Sequence, residues 1–158
     1  MARVFLASQA LSGRSGHQVG RALLADLYAA HVGGEMPAIA IAPGGKPYFV
    51  DSAWHFSISH TKRHAFCALA EHPIGIDAEE LDRNIDLKIA PKILSAGEFA
   101  QFQAAQDPRD ALLRFWVLKE AAAKLTGEGM KWHPTHTDFT LPDGRIQELD
   151  GCLVAVMY

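Results

Sequence analysis

The order of secondary-structure signals along the chain predicts an α+β fold with two unequal lobes. Three observations carry this: a strand, a helix and several short strands before residue 72; a break at His72-Pro73; and a strand, helices and a closing run of strands after it. The expected lobes are residues 1–72 and 73–158.

Residues 3–7 alternate as a first strand, and Ser15 is placed to cap a helix. Val19, Leu23, Leu24, Leu27 and Tyr28 then recur at helical spacing over about 17–31, and Gly33-Gly34 ends the run. A short strand at 38–42 and an extended piece from Lys46 flank Pro43-Gly44-Gly45. In Trp54–His60 the alternation sets Phe56 and Ile58 against Ser57 and Ser59, giving a strand with one polar side. Thr61-Lys62-Arg63 is a polar loop before an apolar strand, 65–70.

Past Pro73, the strand Ile74–Glu79 turns Ile74, Ile76 and Ala78 one way and Gly75, Asp77 and Glu79 the other. Ser95 and Glu98 have capping-box spacing for a helix to about residue 105. Asp107-Pro108 starts a long helix that Gly127-Glu128-Gly129 stops. The remainder reads as a three-stranded meander of Thr137–Leu141, Ile146–Leu149 and Cys152–Tyr158.

At 158 residues with a net charge of −3, the chain has no overall electrostatic attraction to nucleic acid or anionic membrane, so neither is an expected partner. A polyanionic ligand must meet a local basic cluster. Cys67 and Cys152 lie in apolar strand-like runs that suit core residues better than ligands or a bridge, and the N-terminal apolar run is too short for a signal segment. The expected location is cytoplasmic. The eight histidines form no zinc framework, and His133 and His136 read as loop residues.

Charge in the long helix needs a reason. Leu113, Trp116, Glu120 and Lys124 share one stripe, so large apolar groups and an acid-base pair occupy the same face. If that helix crosses the polar side of the Ile74–Glu79 strand, Asp77, Glu79 and Glu120 form a hard-cation site, and Mg²⁺ completes its shell with substrate phosphates. The alternative is that Asp77 and Glu79 are solvated and Glu120 pairs only with Lys124. Spacing alone favours that alternative. The Ser57–Arg63 segment and Lys46 offer hydroxyls, an imidazole and cations for a phosphate, or simply a polar loop.

Gly45-Lys46-Pro47-Tyr48 with Phe56-Ser-Ile-Ser-His-Thr61, Gly75-Ile-Asp-Ala-Glu79 and Trp116-Val-Leu-Lys-Glu-Ala-Ala-Ala-Lys124 together closely resemble the 4′-phosphopantetheinyl transferases. The Ser-His motif precedes Gly-Ile-Asp, as in the Sfp-type, pseudo-dimeric branch. The resemblance implies two pseudo-symmetric lobes, each a small antiparallel sheet packed on a helix, acting as a monomer. It implies transfer of the phosphopantetheine arm of coenzyme A to a serine of an apo acyl or peptidyl carrier protein. Mg²⁺, with Mn²⁺ as a substitute, would assist, and adenosine 3′,5′-bisphosphate would leave. Asp77, Glu79 and Glu120 match the metal carboxylates, with Glu120 also a candidate base, and Lys124 matches the lysine on the reacting phosphate. Lys46, Ser59 and His60 match coenzyme A contacts, Arg21 matches an arginine before a Leu-Leu pair, and Lys119 belongs to the Lys-Glu pair.

Ala121 departs from the serine of the Sfp-type branch, and the stretch before residue 17 is short, leaving Arg14 as the substitute for upstream basic residues. Lys88 and Lys92, in 85–95, are expected at the carrier-docking surface. Two competing functions use the same residues: a metal-dependent pyrophosphohydrolase with water as nucleophile, and a non-catalytic coenzyme A or carrier-binding module.

Overall fold

The computed structural model describes residues 3–127 and 133–158; Glu128 and Gly129, expected in the helix stop, lie outside them. Strand β1 (Val4–Ala10) leads into helix α1 (Gly16–His31). Ser15 Oγ accepts the Gln18 N–H and the Gln18 side chain accepts the Ser15 N–H, a reciprocal cap. Strands β2 (Ile39–Ile41) and β3 (Pro47–Phe49) make a two-stranded ribbon, while β4 (His55–His60) and β5 (His64–Ala70) complete an antiparallel sheet in the order β1-β5-β4.

After Pro73 come β6 (Gly75–Glu80), a 3₁₀ turn (Leu87–Ile89), α2 (Ala90–Ile93), α3 (Ala96–Ala104), α4 (Pro108–Thr126), β7 (Ile146–Leu149) and β8 (Cys152–Met157). The second antiparallel sheet runs β6-β8-β7. Asp107 caps α4 by accepting the Asp110 N–H, and Gly127 ends it in the left-handed conformation, φ 72°. The fold is α+β, as the sequence predicts.

Side-chain alternation stacks these elements in four layers. Ala65, Cys67 and Leu69 of β5 pack on α1, and Leu153, Ala155 and Met157 of β8 pack on α4. The opposite faces meet between the sheets, where Phe66, Ala68 and Ala70 lie against Ile74, Ile76, Ala78, Cys152, Val154 and Val156. Strands β5 and β8 are therefore buried on both sides, which is why they read as unbroken apolar runs instead of alternating ones. Among the described residues no helix is long and apolar enough to cross a membrane.

One expected element is corrected: Thr137–Leu141 is not a strand. Its backbone polar groups bond to side chains of α3. Glu98 accepts the Phe139 N–H at 2.8 Å, Gln101 accepts the Leu141 N–H at 2.9 Å, and Gln101 Nε2 donates to the Phe139 carbonyl. With its hydrogen bonds spent this way, the segment has no ladder to join, and the closing meander reduces to the β7–β8 hairpin beside β6.

Candidate active site

The polar side of β4 faces the free edge of β6. Ser57 Oγ accepts the Ile76 N–H at 3.0 Å and Ser59 Oγ accepts the Ala78 N–H at 3.1 Å. Serine hydroxyls thus replace the carbonyls of a neighbouring strand, so the sheets are joined without being continuous. Ser59 also donates to Asp77 Oδ1 at 3.3 Å, which fixes that carboxylate from behind.

Asp77 and Glu79 project from β6 toward α4, opposite Ile76 and Ala78. Helix and strand approach closely because position 75 is glycine: a Cβ there would sit inside contact distance of the Ala121 carbonyl and the Leu125 nitrogen. Lys124 Nζ lies 3.0 Å from Asp77 Oδ1. Glu79 Oε1 accepts from Arg83 at 2.5 Å and from the Trp116 indole N–H at 3.0 Å, and the Arg83 guanidinium lies over the Trp116 ring. Asp77 Oδ2 is different. It is buried and has no hydrogen-bond partner among the described residues.

Burial pushes the carboxyls of Asp77, Glu79 and Glu120 above the usual range. Asp77 adds to the rise of both glutamates, and Lys124 opposes it. Glu120 and Lys124 line a cavity of about 370 Å³ with Gly45, Lys46, Ser57 and Ala123. A second cavity of about 940 Å³ is bounded by His60, Lys62, Arg63, Glu79, Glu80 and Arg83.

The structure therefore brings Asp77, Glu79, Glu120 and Lys124 together, with Lys46 and Ser59 beside them and His60 on the adjoining cavity. Lys46 Nζ donates to the carbonyls of Ile74 at 2.8 Å and Leu125 at 3.4 Å, tying the loop before β3 to both β6 and the end of α4. Burial lowers its pKa. His60 is exposed, and its ring packs over Gly16, where any Cβ would collide with it. Arg21 follows Gly20, which abuts Ile58 of β4.

Lys119 stands apart, which corrects its expected place among coenzyme A contacts. Its side chain is fully buried on another face of α4, 2.6 Å from Glu98 Oε1, and it donates to the carbonyls of Pro134 and Thr137 and to Thr137 Oγ1. Every proton of the ammonium has a partner there. Sequence reasoning also missed Arg83 as a partner of Glu79 and the indole N–H of Trp116 as its second donor. The Trp116–Glu120–Lys124 stripe carried a signal for the indole, whereas Arg83 had none because the turn after β6 places it.

The donor set suits a hard divalent cation: three carboxylates, one of them with a buried open oxygen. The three do not form a closed cage, since Arg83 and Trp116 hold Glu79 Oε1. Among the described residues, the one group of three His, Cys, Asp or Glu ligand atoms lying mutually within 4.8 Å is His64, Glu80 and Cys152. An incomplete carboxylate set is compatible with Mg²⁺, which takes few protein ligands and fills its shell with water and phosphate oxygens.

A family model described as the 4′-phosphopantetheinyl transferase superfamily matches residues 73–151, half of the chain. The chain belongs to this superfamily. It is 40% identical over 88 residues to the 4′-phosphopantetheinyl transferase gsp of Aneurinibacillus migulanus, covering 54% of this chain and 36% of that one. To 4′-phosphopantetheinyl transferase psf-1 of Bacillus pumilus it is 33% identical over 122 residues, 71% of this chain and 52% of the relative. The holo-[acyl-carrier-protein] synthase of Cronobacter sakazakii is 39% identical over 64 residues, 37% of this chain and 51% of its own. The matches thus span about half or less of each relative's length. The superfamily match runs from the start of β6 to the turn before β8, so it contains Asp77, Glu79, Glu120 and Lys124.

Proposed function

We propose that the chain transfers the 4′-phosphopantetheine arm of coenzyme A to a serine of an apo acyl or peptidyl carrier protein, releasing adenosine 3′,5′-bisphosphate. The observation that carries this reading is the open, buried Oδ2 of Asp77, set among two further carboxylates and two cations beside a cavity. An unpartnered carboxylate oxygen costs free energy unless a ligand completes it.

Asp77, Glu79 and Glu120 would hold Mg²⁺, or Mn²⁺ in its place. When bound, the ion supplies positive charge to the coenzyme A diphosphate and to the departing bisphosphate. Lys124, partly exposed on the cavity wall, gives its ammonium to a phosphate oxygen of the reacting group, and Ser59 keeps Asp77 oriented meanwhile. Glu120, whose carboxyl is raised by burial and by its acidic neighbours, takes the serine proton directly or through a water. The serine oxygen then bonds to the phosphorus of the pantetheine phosphate as its bridging oxygen leaves with the adenosine bisphosphate.

Residues 1–72 would supply the coenzyme A contacts of Arg21, Lys46, Ser59 and His60, and residues 73–158 the metal site and the carrier-docking surface. Lys88 and Lys92 are exposed on the turn and helix after β6, beside exposed Leu87, and suit an acidic carrier.

The test is to incubate a panel of apo carriers with the chain, coenzyme A and Mg²⁺ and to measure intact carrier mass. One phosphopantetheinyl group is gained, and Asp77→Ala or Glu120→Ala abolishes the gain. No gain on any carrier contradicts the reading, and release of adenosine bisphosphate without a carrier assigns the site to hydrolysis.

A further inference from the structure

A second polar cluster lies outside the carboxylate site, between the facing sides of the two sheets at one end of their shared core. Glu80 of β6 and Cys152 of β8 are cross-strand partners, so their side chains rise side by side from the same face. His64, the first residue of β5, faces them from the other sheet. His64 Nδ1 lies 3.4 Å from Glu80 Oε1, Cys152 Sγ lies 3.4 Å from Glu80 Oε2, and Sγ and Nδ1 are 4.0 Å apart.

Those separations have a chemical meaning. Tetrahedral zinc bonded to imidazole nitrogen, carboxylate oxygen and thiolate sulfur at about 2.0–2.3 Å has ligand-to-ligand edges of roughly 3.3–3.7 Å. The two separations to Glu80 fall in that range but run to different carboxylate oxygens; with one ligand atom taken from each residue the three lie within 4.8 Å of one another, so a small shift of the side chains closes the set. The ligand atoms also come from three strands, not from loops, so they are held in place before any ion arrives.

We propose that His64, Glu80 and Cys152 form a site for a borderline divalent cation of the zinc type, distinct from the hard-cation carboxylates on the other side of β6. A thiol and an imidazole select such an ion over Mg²⁺. The 940 Å³ cavity is lined by Thr61, Arg63 and Glu80 and so gives an ion access from the Glu80 side of the cluster, where a water would be the fourth ligand. Without metal, Glu80 is held by Thr61 Oγ1 at 2.5 Å and Arg63 at 3.1 Å. Arg63 is free to give up that contact because it keeps Asp82 at 2.6 Å. On binding, the Sγ–H bond breaks, the metal–sulfur bond forms and the proton passes to buffer; no electron is transferred. The bound ion ties β5 to β6 and β8 and so clamps the two sheets at this end. This inference does not depend on the transferase reading.

The test is to strip the full chain with a chelator and titrate it with Co²⁺, following thiolate-to-cobalt charge transfer and tetrahedral d–d absorption. The expected result is saturation at one equivalent, displacement by Zn²⁺ and not by Mg²⁺, loss of charge transfer in Cys152→Ala and retention in Cys67→Ala. His64→Gln, at a partly exposed position, weakens Co²⁺ binding about tenfold or more and serves if Cys152→Ala does not fold. Absence of charge transfer in the unaltered chain, its persistence in Cys152→Ala, or unchanged affinity in His64→Gln overturns the proposal.

Discussion

Lys119 and Lys124 stand little more than a turn apart on α4 and meet opposite surroundings. Lys124 reaches Asp77 at the cavity, whereas Lys119 is sealed with Glu98 under the 133–141 segment. Lys119→Met leaves Glu98 as an uncompensated buried charge and costs about 3–5 kcal/mol in urea unfolding; adding Glu98→Gln recovers part of the loss. The family motif names Lys119 and Glu120 as a pair without saying that they point to different sides. Helical spacing holds that information, since Lys119 continues the stripe of the buried core residues Leu112 and Phe115. Glu80 gives a second test at this scale. Burial alone would raise its pKa, but hydrogen bonds from Thr61, Arg63, His64 and Cys152 outweigh it and hold the carboxyl at about 2, below the ordinary 4.5. The folded state therefore prefers the ionised form. Its contribution is complete above pH 4.5 and is lost as pH falls toward 2, and Glu80→Gln flattens that part of the acid-unfolding profile.

At the scale of elements, the decisive contact is β6 against α4, and Gly75 permits it. Gly75→Ala forces a methyl group into helix backbone that cannot yield as a side chain would; the expected cost is about 1–3 kcal/mol or more by thermal unfolding. Activity should fall beyond what stability explains, because strand and helix move apart at Asp77 and Glu120. The serines of β4 act at the same joint. Ser57→Ala strands the buried Ile76 N–H and costs about 1–3 kcal/mol, measured by urea unfolding. Both elements were legible in the sequence: α4 announced itself through Asp107-Pro108 and its charged stripe, and β6 through its alternation. The lost Thr137–Leu141 strand was not legible. Its competitors for hydrogen bonds, Glu98 and Gln101, are distant in sequence and meet it only once α3 has packed.

Over the whole molecule, the two sheets share an apolar core and are stitched by hydroxyls at the β4–β6 corner, so the cavity wall combines Lys46 and Ser57 from before Pro73 with Glu120 and Lys124 from after it. The sequence placed Lys46 and the Ser57–Arg63 segment as candidate phosphate contacts, although it could not show that Ser57 and Ser59 spend their hydroxyls on the joint. The α+β class followed from the order and periodicity of the elements; the four-layer stacking did not, because a run buried on both sides carries no alternation to say which helix it faces. In the proposed function, Asp77 and its acidic neighbours make coenzyme A binding depend on a divalent cation. Calorimetric titration of coenzyme A into the chain, with Mg²⁺ and with chelator, tests it most directly. Tighter binding with Mg²⁺ is expected, with the gain lost in Asp77→Ala; affinity that ignores both Mg²⁺ and Asp77→Ala would overturn the assignment of these carboxylates.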